Sequence, residues 1–142
     1  LQGSLMAGMA FVNASVAAIH GLAYPLGARF HIPHGHANAL VMAPMIRFNL
    51  SAAQRLYAEL AAHLLPGEVF ADEAQAAEAF VQAIEGLVRD SGLETRLAKL
   101  GIDESALPAM AADVVGGLQR LIDSNPRDMD VGQVEAIYRG IY

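Results

Sequence analysis

The sequence predicts an all-α helical bundle. Apolar residues recur at the three-to-four-residue spacing of a buried helix face, most plainly at Ala77, Phe80, Val81, Ile84 and Leu87. No stretch alternates apolar and polar residues as a half-buried strand would. Breaks fall between the periodic segments, at Pro66-Gly67, Ser91-Gly92 and Asn125-Pro126-Arg127. A chain of 142 residues can bury one core, so a single domain spanning 1–142 is expected.

The first helix is expected from Gly3 to Ala23. Its uncharged stretch from Leu1 to Ile19 approaches the length of a membrane span, but it is rich in Ala and Gly and carries Gln2, Ser4, Asn13 and Ser15. A buried helix is the better reading, and with no basic residues in front of it the stretch does not look like a signal peptide. Tyr24 to Gly35 reads as an irregular turn because it contains Pro25 and Pro33. A second helix follows from His36 to Phe48, with Pro44 expected to bend or end it.

Ser51 reads as the N-cap of a third helix that reaches about His63. Asp72 to Asp90 is a long amphipathic helix whose acidic start complements the dipole and whose end is marked by Ser91-Gly92. Thr95 to Leu100 and the segment opened by Asp103 are short helical turns. Pro108 suits the first turn of a helix reaching about Ile122, and the last helix runs from Asp130 to Tyr142.

Composition narrows the function. The formal charge is −6 and the nine Lys and Arg residues are scattered, which argues against nucleic acid as a partner. With no Cys, disulfides and thiolate metal sites are excluded. Any metal must be held by His, Asp or Glu, a donor set that suits iron, zinc, nickel or cobalt. The apolar fraction is 54% and the mean hydropathy +0.34, more apolar than an average globular domain, so some apolar surface is expected to meet a partner.

Two histidines, His20 and His34, lie fourteen residues apart. The first sits in His20-Gly21-Leu22-Ala23-Tyr24-Pro25-Leu26-Gly27 and the second in Ile32-Pro33-His34-Gly35-His36-Ala37-Asn38. They can share one cation only if the chain between them folds back, which the proline and two glycines permit. Taken alone, two such histidines are more often polar groups bonded to backbone carbonyls than ligands.

These segments resemble the iron-containing alcohol dehydrogenase family, whose hallmark is a helix ending in His-Gly/Ala-x-Ala-His-Pro-Leu-Gly followed by Pro-His-Gly. The resemblance runs from Gly8-Met9-Ala10-Phe11 to Met45-Ile46-Arg47-Phe48-Asn49, and continues at Gly92-Leu93-Glu94-Thr95-Arg96-Leu97 and Asn125-Pro126-Arg127. It implies the C-terminal helical domain of a dehydroquinate synthase-like enzyme. Family members also carry an N-terminal nucleotide-binding domain, and an upstream aspartate and histidine that complete the metal site; neither has a counterpart in these residues. The 142 residues are therefore expected to be catalytically incomplete by themselves.

The resemblance assigns His20 and His34 as metal ligands, for Fe2+ or Zn2+, in an enzyme that moves hydride between NAD(P) and an alcohol or aldehyde. Tyr24 stands where most members have a histidine suspected of relaying protons. A phenol, with an ordinary pKa of about 10, is a poorer base at neutral pH, and packing beside Pro25 is the alternative role. Phe11 matches a position bordering the substrate pocket, although a place nine residues before His20 sets it nearly opposite on an ideal helix and favours core packing. His36 could line the mouth of the site, and no chemistry is assigned to His31 or His63.

A homo-oligomer in the cytoplasm is expected, with no membrane partner. Two rival readings remain. One is a maleylacetate reductase-type oxidoreductase; the His20–His34 interval and the Pro33–Asn38 run favour alcohol dehydrogenases over glycerol dehydrogenases. The other is a non-catalytic helical interaction domain that docks through its apolar first helix.

Overall fold

The apolar stretch at the start of the chain does not form one helix. In the computed structural model, which describes residues 1–142, α1 (Gln2–Ala14) and α2 (Ala18–Phe30) meet at 100°. Ser15 takes a left-handed φ of 64°, donating its N–H to the Phe11 carbonyl, and Ala17 is extended, so the helix ladder cannot pass through. Because α1 leaves the body at this angle, it buries no residue, against the expectation of a buried helix. Leu5, Met6, Met9, Phe11 and Val12 are exposed along it. No single helix is long and apolar enough to cross a membrane; the α1–α2 pair reaches that length only across its bend.

A second correction concerns Pro25. The expected irregular turn from Tyr24 to Gly35 is helical as far as Phe30, and only His31 to Pro33 lie outside helices. Proline deprives the Gly21 carbonyl of its partner. Packing carries α2 through: Leu22, Ala23 and Leu26 are buried against the core. Tyr138 from the last helix donates its hydroxyl to the Leu22 carbonyl at 2.6 Å, beside the proline break. His31 then ends α2 in the left-handed conformation that glycine usually supplies.

α3 (His34–Leu64) spans 31 residues as two helical segments that meet at a kink at Ala53, so the two expected helices are present but their junction falls a few residues later than expected. It runs through Pro44 because Ala37, Leu40, Val41, Met45 and Asn49 form one buried face on both sides of the proline. Ser51 lies in the last turn before the kink and does not act as an N-cap; the break is at Ala53, at φ −116° and ψ 15°. α4 (Glu73–Asp90) forms as the sequence predicts, with Asp72 accepting from the Gln75 N–H. It packs along α3 over a small second core of Ala61, Ala76, Phe80 and Val81. Arg47 on α3 reaches Glu78 and Glu85 across the same seam.

Two short 3-10 turns, Ala98–Leu100 and Glu104–Ala106, lead into α5 (Leu107–Gly117), whose first turn holds Pro108. The helix expected to reach Ile122 breaks at Leu118 after Gly116-Gly117, poor helix residues, and restarts as α6 (Gln119–Asp123). α7 (Val131–Gly140) opens with a capping box between Asp130 and Gln133. The main core gathers Leu22, Leu26, Val41, Met45, Leu97, Met110, Val114 and Tyr138 from α2, α3, α5, α7 and the segment between α4 and α5. The fold is all-α, as expected, with no strand.

Burial, and secondarily Asp113, pushes the Tyr138 phenol well above its ordinary value of 10.0. Above pH 10 the unfolded chain ionises this group while the folded state cannot, so stability falls as pH rises beyond that point. Tyr138→Phe is expected to cost about 1 kcal/mol at pH 7 from the lost hydrogen bond. The same variant should lose less stability than wild type between pH 9 and 11, as read from urea midpoints at each pH.

Candidate metal centre

His20 is the third residue of α2 and His34 the first of α3. The short connection at His31 to Pro33 returns the chain so that the imidazoles converge, with ring centres 5.2 Å apart and planes tilted by 50°. Two imidazoles bonded at about 2.0–2.1 Å to one tetrahedral cation place their ring centres about 5 Å apart, so this pair fits a shared metal. Burial, then the neighbouring His34, lowers the His20 pKa below the ordinary imidazole value. That favours the neutral ring, which carries the lone pair a metal needs. No third His, Asp or Glu joins them.

Tyr24, one turn beyond His20, stacks on His34 with ring centres 6.4 Å apart and remains exposed. It also borders a groove with Pro25, Asp113 and Leu118. Val16 and Asn13 precede the α2 start and share no helix with His20; Asn13 donates to the Met9 carbonyl on α1. Phe11 lies on α1 in an open apolar depression with Leu5, Met9 and Val12, and does not line the cavity that contains His20. His36 donates from Nε2 to the Glu94 carbonyl at 2.6 Å, which ties the start of α3 to the segment after α4. His31 caps α2 and His63 sits in the last turn of α3.

A cavity of 360 Å³ opens beside His20. Ile19, Met42 and Ile46 give it apolar walls, and Asn38, Asn49, Tyr57 and Asn125 give it polar ones. The arrangement is a pair of convergent imidazoles at the edge of a mainly apolar space.

Residues 1–142 match the family described as Fe-containing alcohol dehydrogenase, C-terminal. The chain belongs to the iron-containing alcohol dehydrogenase family. It is 35% identical over 141 residues to long-chain-alcohol dehydrogenase 1 of Geobacillus thermodenitrificans, covering 99% of this chain and 35% of that protein. Identity to the 1,3-propanediol dehydrogenase of Klebsiella pneumoniae is also 35%, over 96% of this chain and 35% of that one. The crystal structure of a 1,3-propanediol oxidoreductase superposes with a TM-score of 0.88 at 35% identity, over 98% of this chain and 36% of that chain. The chain thus spans about a third of the length of the curated relatives it matches.

Within this iron-containing alcohol dehydrogenase domain, sequence reasoning missed the asparagines around the histidines. Asn49 and Asn125 donate to each other's side-chain carbonyls at 2.9 and 2.8 Å, and Asn125 also donates to the Arg127 carbonyl at 2.7 Å. Arg127 in turn donates to the Phe48 carbonyl and lies 4.0 Å over the Phe48 ring. This network staples the turn before α7 to the middle of α3. In the sequence the Asn125-Pro126-Arg127 segment reads as a break and as part of the resemblance, and its contact does not show there because the partner of Asn125 lies 76 residues away.

Either Asn49→Ala or Asn125→Ala leaves a half-buried or buried amide without its partner and is expected to cost about 1–3 kcal/mol. The double variant should cost clearly less than the sum of the two. Additive costs in a denaturation double-mutant cycle would show that the two amides are not coupled.

Proposed function

We propose that this domain supplies two imidazole ligands, His20 and His34, to the metal of an NAD(P)-dependent alcohol dehydrogenase that interconverts alcohols with aldehydes or ketones. The observation that carries this reading is the convergence of the two rings at 5.2 Å, the separation expected for shared coordination. Family membership makes iron the first candidate, and the nitrogen donor set serves zinc as well. When bound, the cation polarises the substrate oxygen and NAD(P) carries the hydride. NAD(P) contacts are expected outside these residues, in a nucleotide-binding domain such as the family carries.

The residues of this chain have separate tasks in that reaction. His20 and His34 hold the cation at the rim of the apolar cavity, whose walls at Ile19, Met42 and Ile46 suit the hydrocarbon part of an alcohol. Tyr24, stacked on His34 and exposed, is placed to hold or pass a proton at its hydroxyl where most members use a histidine. His36 serves the site indirectly, by anchoring the start of α3 through Glu94. The relatives named for long-chain alcohols and for 1,3-propanediol support an alcohol or diol as substrate. The exposed apolar face of α1, including Phe11, supports a contact with the nucleotide-binding domain or with a second copy in a homo-oligomer, and we place the enzyme in the cytoplasm.

The full gene product is expected to retain a divalent metal by elemental analysis, and His20→Ala or His34→Ala to lose it. NAD(P)-linked oxidation of a primary alcohol should then fall by about 10²–10³-fold in kcat/KM, equivalent to several kcal/mol of lost stabilisation. Either variant keeping both metal and turnover would overturn the assignment. The 142 residues alone, holding two ligands and no third, are expected to give no NAD(P)-linked turnover.

A further inference from the structure

We infer that Met42 and Ile46 gauge the chain length of the alcohol: the cavity beside His20 takes the alkyl tail of a linear primary alcohol of about six to ten carbons in preference to a short diol. The inference rests on the reading of His20 and His34 as ligands and names the substrate class which that reading leaves open. The relatives named for long-chain alcohols and for 1,3-propanediol are both 35% identical to this chain, so likeness does not choose between them.

The first observation is the place and shape of the cavity. His20 borders it, and so does Asn38, whose Nδ2 is 3.1 Å from Nε2 of His34. An alcohol whose oxygen sits between the two rings therefore has its carbon chain at the cavity's edge. From there Asn38, Met42, Ile46 and Asn49 follow at intervals of four, four and three residues, which sets them on one face of α3. At about 1.5 Å of rise per residue the row is about 16 Å long. Ile19 of α2 adds a third apolar wall. The volume of 360 Å³ corresponds to about a dozen groups of the size of a water molecule. A space extended along a helix suits a chain better than a compact polyol.

The second observation is that the polar groups around the cavity are already engaged. Asn49 and Asn125 bond to each other, and Asn125 also to the Arg127 carbonyl. Asn38 donates its NH2 to the His34 carbonyl. Its Oδ1 has no partner, but that atom is closed off from solvent, so a hydroxyl in the cavity does not reach it. Tyr57 lies past Asn49, beyond the kink at Ala53, at the end of the row away from the histidines, where a three-carbon diol does not extend. The second hydroxyl of such a diol would stand against Ile19, Met42 and Ile46 without a partner. Each added methylene of a monoalcohol instead leaves water for those walls, which is worth up to about fourfold, the equivalent of about 0.8 kcal/mol.

The test is made on the full gene product. NAD(P)-linked kcat/KM is measured for the linear primary alcohols propanol, hexanol and octanol and for 1,3-propanediol. It should rise about two- to fourfold per methylene as far as octanol, and be about 10–100-fold lower for the diol than for propanol. In protein with isotope-labelled methionine methyls and no added metal, octanol should shift the Met42 resonance, identified by its absence from Met42→Leu, and the diol at equal concentration should not. Ile46→Trp, which fills the middle of the row, is expected to bring the octanol-to-propanol ratio of kcat/KM close to one, and Met42→Phe makes the same test should Ile46→Trp not fold. A flat or falling series, a preference for the diol, an unmoved Met42 methyl at saturating octanol, or a ratio untouched by the folded variants would overturn the inference and leave the ligand assignment standing. Metal and turnover both kept in His20→Ala would remove the ligand assignment and this inference with it.

Discussion

The geometry of the site depends on α2 remaining helical through Pro25. Had the helix stopped at Tyr24, as proline alone suggests, His20 would sit at a frayed end and the chain would reach His34 by a long irregular loop. Proline in a helix interior costs about 3 kcal/mol. Against that, burying a leucine gains about 1.5–3 kcal/mol, and both Leu22 and Leu26 are fully buried on either side of the proline. Tyr138 adds a hydrogen bond at the Leu22 carbonyl. Burial outweighs the lost backbone bond, so the helix persists and only a short turn separates it from α3.

The same logic explains α3. Pro44 interrupts its ladder, yet one buried face from Ala37 to Asn49 spans the interruption. The asparagines then tie the helix to distant chain: Asn49 to Asn125, with Arg127 clamping Phe48 from the same turn. His36 is fastened to Glu94 at the other end. His34 therefore projects from a helix whose start is anchored by a side-chain bond and whose middle is anchored by a buried polar network. A histidine held on so fixed a base can present its nitrogen at a set angle, which a ligand on a mobile loop could not.

The features legible in the sequence are those governed by neighbours in the chain. Asp72 capping α4, Pro108 in the first turn of α5 and Asp130 opening α7 each satisfy local backbone N–H groups or remove a need for one, so their positions follow from a few consecutive residues. The misread boundaries share the opposite property. Nothing about Ser15 marks it as the residue that adopts a positive φ, and Ser51 looks like a cap although the break in α3 falls two residues later, at buried Ala53. Asn38 stood four residues from His34 in plain view, but with the helix expected to begin at His36 that interval carried no geometric meaning.

By itself the sequence determined that the protein is helical, that any metal it binds must use histidine or carboxylate, and, through the His20 to His34 segment, which family it resembles. These follow from residue type and short-range spacing, which a linear chain carries explicitly. Only the tertiary structure decided that the two imidazoles meet, that α1 stands apart from the core with Phe11 on it, and that Asn38 and the Asn49–Asn125 pair are buried around the site. Those outcomes are set by which helix faces gain most from packing together. That balance sums contacts between residues far apart in the chain, and it can override a proline or a serine whose local preference points the other way.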